Sequence, residues 1–202
     1  MKEPLSKVVV VGLTLLIVAC TKNTPTPATQ TPSPPPSNIV ATDKDGYTYK
    51  TVTIGTQTWM AENLKTLHYN NGDLIDTSNP ISQDVSAEKE PKYQWARDSL
   101  LATYGRLYTW YVVMDARGVC PSGWHIPSDA EWATLIKYLG TVPGSKMKET
   151  GTKHWLNYTY NGSDNSSGFT ALPGGYRNDI EPSYSIGTKA VWWSSTENNV
   201  VS

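Results

Sequence analysis

Two cysteines, Cys20 and Cys120, and three histidines, His68, His125 and His154, are the side chains best suited to redox, metal or proton-transfer chemistry in this 202-residue chain. Their spacing argues against most of it. No two histidines stand three or four residues apart and no Cys-x-x-Cys occurs, so a zinc site has no signature. Ser194-Ser195 lacks the flanking glycines of a nucleophile elbow. No two carboxylates stand out as an acid–base pair, and Asp129 and Glu131 suit the positive end of a helix. His125, between Trp124 and a helix cap, reads as a structural imidazole. Asp43-Lys44-Asp45-Gly46 starts like a calcium loop but lacks the later ligands and the closing Glu, so it reads as a hairpin turn. The expectation is a protein that is not an enzyme, with no catalytic residue, no metal and no cofactor.

Binding is the chemistry that remains. Tyr158, Tyr160, Asn161, Asp164, Asn165 and Tyr184 lie in Gly-, Asn- and Ser-rich loops. Tyr rings can stack on the apolar faces of sugars while Asn and Asp groups read hydroxyls, so these six are the candidate ligand-binding residues. The aromatic set of eight Trp and 12 Tyr against a single Phe favours rings with a polar handle, which serve half-wet positions as well as cores. A net charge of −1 excludes nucleic-acid binding driven by bulk charge. With 17% charged and 38% hydrophobic residues, the chain is neither a disordered polyelectrolyte nor a multi-span membrane protein.

These loops need a scaffold. Residues 47–55 (YTYKTVTIG) alternate and are β-branched, which predicts a strand. Residues 103–117 place Tyr104, Leu107, Tyr108, Tyr111 and Met114 on one helical face, with Gly118 as a stop. Ser128 and Glu131 form a capping box, followed by the stripe Trp132, Leu135, Ile136 and Leu139 and a terminal Gly140. The class expected is α+β, two helices packed on a small irregular antiparallel sheet with long loops.

The N-terminus carries an address. Lys2 and Lys7 precede residues 8–19 (VVVVGLTLLIVA), an apolar run shorter than the roughly 20 residues a membrane span needs. It fits a secretory leader. Ile17-Val18-Ala19-Cys20 resembles the bacterial lipobox, which implies cleavage before Cys20 and its lipidation; several acyl chains make a durable membrane anchor. An ordinary leader with a chance Cys, or a short anchor helix, is the alternative. Residues 20–38 add six prolines among Thr and Ser and read as an extended tether. Lys22, where an Asp would favour inner-membrane retention, points to the outer membrane of a bacterial cell envelope; which face of that membrane stays open.

From there the residues resemble a known family. Val52-Thr53-Ile54-Gly55, Trp59-Met60-Ala61-Glu62-Asn63-Leu64 and Tyr104-Gly105-Arg106-Leu107-Tyr108-Thr109-Trp110-Tyr111 are similar to blocks of the Fibrobacter succinogenes major paralogous domain. So are residues 118–132 (GVCPSGWHIPSDAEW), 146–151 (KMKETG), 167–177 (SGFTALPGGYR) and 192–197 (WWSSTE), in the family's order. The resemblance implies an exported bacterial lipoprotein. More distantly, the blocks look like the C-type-lectin-like fold of formylglycine-generating enzymes. Those enzymes need a reactive cysteine pair or copper bound by it, and this activity is not carried over. Glu181-Pro182-Ser183 faintly resembles a lectin calcium motif but has Ser where Asn should stand.

The family continues past Trp-Ser-Ser-Thr-Glu into two further strands, the last ending near a Cys, whereas the sequence here stops at Ser202. The resemblance therefore implies a C-terminally truncated domain over residues 39–202. With Cys20 lipidated, Cys120 would be an orphaned half-cystine, or else a buried, inert thiol. The outer edge of residues 190–195 would be uncovered, leaving a marginally stable or partner-dependent domain. The functional expectation is a lipid-anchored envelope protein with a non-catalytic recognition module for glycan or protein. A structural lipoprotein without a specific ligand is the alternative, and an enzyme of the formylglycine-generating type trails both.

Overall fold

The computed structural model describes residues 16–23, 40–77, 88–94, 98–156, 162–177 and 185–197. Its first described segment is its most buried. From Leu16 to Thr21 no residue exceeds 2% exposure. Strand β1 (Leu16–Ile17) and strand β2 (Thr21–Asn23) flank Cys20 within this segment. Complete burial of side chains such as Leu16, Ile17 and Val18 contributes about 1.5–3 kcal/mol each.

The next strands form hairpins. β3 (Ala41–Thr42) pairs antiparallel with β4 (Thr48–Tyr49), so Asp43 to Tyr47 form the hairpin loop expected of that sequence. Asp43 accepts hydrogen bonds from the backbone of Asp45 and Tyr47 and from the Tyr49 hydroxyl at 2.5 Å. β5 (Thr51–Ile54) turns at Gly55 into β6 (Gln57–Met60). The strand expected over residues 47–55 is thus two strands, β4 and β5, that enter different sheets.

Two sheets meet at the N-terminal segment. In one, β1 pairs with β9 (Leu107–Tyr108), β9 with β8 (Lys92–Gln94), and β8 in parallel with β7 (Asp76–Thr77). In the other, β2 pairs with β6 and β6 with β5. Between them the carbonyls of Val18 and Cys20 accept from Leu64 N and Met60 N, each at 3.0 Å. The disulfide between Cys20 and Cys120 ties this segment to a residue 100 positions later.

This bears on several expectations. In the unprocessed 202-residue chain Cys120 is neither orphaned nor a thiol, because its sulfur is bonded to Cys20; the orphaned Cys120 expected on lipidation of Cys20 concerns the processed chain. Residues 16–21, which precede the domain expected from residue 39, are buried in the core of the unprocessed chain. Nor is the edge at residues 190–195 left bare: Ile17 bridges Trp192 in parallel, and its carbonyl accepts from Trp193 N at 3.2 Å. The physical reason is common to all three. A buried sheet position needs its backbone groups paired and its volume filled, and Leu16 to Thr21 supply both.

The helices also differ from the expected two. The described residues hold four short ones, α1 (Asp98–Tyr104), α2 (Trp110–Val113), α3 (Asp129–Leu139) and α4 (Pro143–Met147). The sheet is likewise divided into three small ones, with one parallel pair. The single helix expected over residues 103–117 is broken at Gly105, which has φ +74°. A Cβ there would meet the Leu64 carbonyl at 2.6 Å. The chain then runs extended so that Leu107 and Tyr108 are buried between β1 and β8, and Met114 is left 48% exposed. Tertiary pairing overrides a helical periodicity here. The coarse class, a small mixed α+β domain, stands.

Helix α3 forms as expected. The Ser128 hydroxyl accepts from Glu131 N, the Glu131 carboxylate accepts from Ser128 N, and Gly140 caps the far end. Leu135 and Leu139 are buried, while Trp132 is partly buried between Trp59 (ring centroids 4.7 Å apart) and Trp192 (6.2 Å). Phe169 lies 5.9 Å from Trp59 and 5.7 Å from Trp192. These rings are core.

The disulfide gives a direct test on the unprocessed, oxidised full-length chain. Unfolded without reductant, it should show no reactive thiol, and two thiols per chain would contradict the structure. Replacing both cysteines with Ala should lower the unfolding free energy by about 2–5 kcal/mol, read from urea titration.

Candidate functional site

An open concavity lies where the end of α3 passes over β5. Thr53, Ile54, Tyr138, Leu139, Lys146, Ser166 and Ser167 line a groove of about 260 Å³. A second concavity, beside Ala19, Met60 and Trp192, has only about 10 Å³, room for no more than one water.

Each wall of the groove is held from beneath. Ser167 donates its hydroxyl to the Lys146 carbonyl at 2.8 Å, and Ser167 N donates to the same oxygen. The Lys146 ammonium donates to the Leu139 carbonyl at 2.6 Å, placing a cation at the negative end of α3. Tyr138 is 66% exposed, yet its ring is seated against Gly55, where an added Cβ would fall 2.9 Å from the ring. The result is a fixed, wet aromatic ring beside hydroxyl and ammonium groups.

Of the six candidate ligand residues, Tyr158, Tyr160, Asn161 and Tyr184 lie outside the described residues, as does the Glu181-Pro182-Ser183 stretch. Asp164 and Asn165 are described and adjoin the groove through Ser166. Asn165 sits at φ +48° and spends its amide on Thr170, donating to the hydroxyl and accepting from the backbone N, each at 2.9 Å. It shapes the loop rather than facing a ligand. Asp164 is exposed and accepts from Ser166 N at 2.9 Å; that hydrogen bond, with one from the Ser166 side chain, holds its carboxyl below the usual range.

Sequence reasoning missed Tyr138 and Lys146. Tyr138 stands outside the stripe Trp132, Leu135, Ile136 and Leu139, so its exposure was readable from helical geometry. Its contact with Gly55 is tertiary and was not. The described Trp rings, by contrast, are buried or half-buried. No cluster of exposed Trp side chains exists among the described residues.

Each histidine meets one carboxylate. His68 Nδ1 lies 2.6 Å from Asp45, His125 Nε2 lies 2.7 Å from Glu131, and His154 Nδ1 lies 2.7 Å from Glu149. No group of three metal-ligating side chains gathers among the described residues. Asp45 is a structural clamp, because its carboxylate also accepts from the Thr66 hydroxyl at 2.7 Å and from Leu67 N at 2.5 Å. Burial opposes its ionisation, and these hydrogen bonds outweigh burial, so its pKa falls below the ordinary value.

Glu131 follows the same pattern. Burial raises its pKa, but hydrogen bonds from Ser128 and His125 outweigh that and leave it lowered. A depressed folded pKa stabilises fully above the unfolded carboxyl value, about 4.3, and the stabilisation is lost as pH falls through the lower folded value. Glu131→Gln should therefore cost about 1 kcal/mol at neutral pH. The gap to wild type should close on acidification toward pH ~3. Urea titrations at both pH values check this, and a gap independent of pH would contradict it.

Comparison with curated proteins and with solved structures gives no match. The family model described as Fibrobacter succinogenes major domain matches residues 52–201. That span runs from β5 through both walls of the groove and includes Cys120, while Cys20 and the strand pair β1 and β2 precede it. The chain belongs to the Fibrobacter succinogenes major domain family.

Proposed function

We propose that this is an exported bacterial envelope protein, lipid-anchored at Cys20 in its processed form, whose domain is a non-catalytic recognition module of C-type-lectin-like type reading a glycan. Export is supported by the apolar run of residues 8–19 directly ahead of Cys20. The observation that carries recognition is Tyr138, fixed and 66% exposed on a groove edged by Lys146, Ser166 and Ser167. A sugar ring can stack its C–H face on Tyr138 while its hydroxyls meet those polar groups.

A second reading, a structural envelope lipoprotein without a specific ligand, is favoured by the core placement of the Trp rings. In either case Cys20 has one sulfur. The disulfide belongs to the unprocessed chain and the lipid thioether to the processed one.

A glycan array with the full-length chain should yield binders whose affinity falls about tenfold in Tyr138→Ala, the scale of one lost stacking contact. No binder, or binding indifferent to Tyr138→Ala, would favour the structural reading. For the anchor, radiolabelled palmitate should enter the wild type in cells and not Cys20→Ser. Equal labelling of the two would end the lipid assignment.

A further inference from the structure

Val142 strains the fold and buries little. Its backbone sits at φ 52° and ψ 52°, in the left-handed region, where a β-branched side chain crowds its own carbonyl. It also precedes Pro143, and a residue ahead of proline is steered toward extended conformations. Val142 goes against both preferences. Its side chain is 68% exposed, so packing inside the chain does little to offset the strain. Glycine adopts this region freely, and Gly140 at φ +69° does so two residues earlier.

Its position gives this strain a meaning. Residues 140–145 join Leu139 to Lys146, both of which line the groove, and the Lys146 ammonium closes that connection by donating to the Leu139 carbonyl at 2.6 Å. Ser145 N donates to the Val142 carbonyl at 3.0 Å, and Asp164 N donates to the Ser145 carbonyl at 3.2 Å. Val142 is thus carried on the rim that α4 shares with the loop of residues 164–168, four residues from Tyr138 and four from Lys146. Among the described residues, four other than glycine have positive φ, and three of them, Val142, Asn165 and Thr170, stand on the two segments that edge the groove. Strain of this kind collects at ligand sites. For Thr170 an internal compensation is visible, because Asn165 bonds its hydroxyl and its backbone N, each at 2.9 Å. The exposed isopropyl group of Val142 makes no such bond, and its apolar surface is left for a ligand.

We propose that Val142 sets the specificity of the groove, and that its ligand is a sugar carrying a methyl group, as 6-deoxy and N-acetyl sugars do. The proposal rests on the glycan reading above and adds the class of glycan. A sugar ring stacked on Tyr138 directs hydroxyls outward around its edge. Those that meet Lys146, Ser166 and Ser167 find polar partners. A hydroxyl pressed against the Val142 methyls would lose water and gain no hydrogen bond. A methyl group in that place instead removes apolar surface from water on both partners. The groove, about 260 Å³, is smaller than the roughly 300–1,000 Å³ of sites for drug-sized ligands, which suits a single sugar unit.

The test uses the full-length chain and glycosides in matched pairs. One pair is an L-fucoside against an L-galactoside, which differ only in the hydroxyl at C6. The other is an N-acetylglucosaminide against a glucoside. Wild type should bind the methyl-bearing member of one pair about fivefold more tightly, the scale of one buried methyl, and the pair that responds tells which source of the methyl is read. Val142→Gly should erase that preference while its urea midpoint stays level or rises, because glycine relieves the left-handed strain. Val142→Thr, which keeps the branched shape and replaces one methyl by a hydroxyl, should weaken the preference. A preference that survives in Val142→Gly overturns the proposal. So does a lowered midpoint in that variant, which would make Val142 a packing residue, and so does wild-type binding with no preference in either pair. Tyr138→Ala judges the glycan reading separately. Binding that depends on Tyr138 but ignores the methyl removes this inference and leaves that reading, whereas no binding of any glycoside removes both.

Discussion

The burial of one short segment, Leu16 to Thr21, is the constraint on which the rest of the molecule depends. It places β1 in one sheet and β2 in another, and its disulfide reaches the loop ahead of α3. Each sheet is too small to stand alone, since strands of two to four residues bury little by themselves. What joins them is a shared interior strand whose side chains contribute to all three clusters of the hydrophobic core. The aromatic cluster of Trp59, Trp132, Phe169 and Trp192 then anchors α3 against β6, with the Trp192 indole donating to the Asn63 side chain. Held on α3 by this core, Tyr138 stays exposed with its ring against Gly55.

Polar groups do a second kind of work, which is to fix loops. Asp43, Asp45 and Glu131 each take two or more donors from the loop they organise, and Asn165 accepts from Thr170 N while donating to the Thr170 hydroxyl. Carboxylates used in this way are saturated by protein hydrogen bonds, which explains why an aspartate pair that begins like a calcium loop forms a hairpin instead. The imidazoles of His68, His125 and His154 each lie beside a single acidic partner. The rims, where Tyr138, Lys146 and the loop of residues 164–168 meet solvent, are the surface on which the proposed recognition rests.

Local signals were legible in the sequence where they were self-contained. The capping box of Ser128 and Glu131, the stop at Gly140 and the hairpin at Asp43 depend on neighbours within a few residues, and all three form. The family was legible because its blocks are long and carry Trp and Gly in fixed order. The break at Gly105 was not, because the reason for it is the carbonyl of Leu64, 41 positions away. A helical stripe from Tyr104 to Met114 fits periodicity equally well until β8 and β1 claim Leu107 and Tyr108. The role of residues 16–23 was hidden for a different reason. An apolar run ending in Ala-Cys satisfies both a leader and a buried strand, and its pairing with β9 and β6 in the unprocessed chain is tertiary and not readable from the run itself. Of the candidate site, Asp164 lies beside the groove, Asn165 holds its own loop through Thr170, and the place of Tyr138 on the groove was not legible because its contact with Gly55 is tertiary.

The account's central claim is that the segment from Leu16 to Thr21 is an interior strand of the folded, unprocessed chain. Hydrogen exchange read by mass spectrometry on the oxidised full-length protein tests this most directly. The amides of residues 16–21, together with their partners Met60, Leu64 and Trp193, should exchange as slowly as those of α3, and all should open together on reduction of the disulfide. Rapid exchange of residues 16–21 while α3 stays protected would contradict the account.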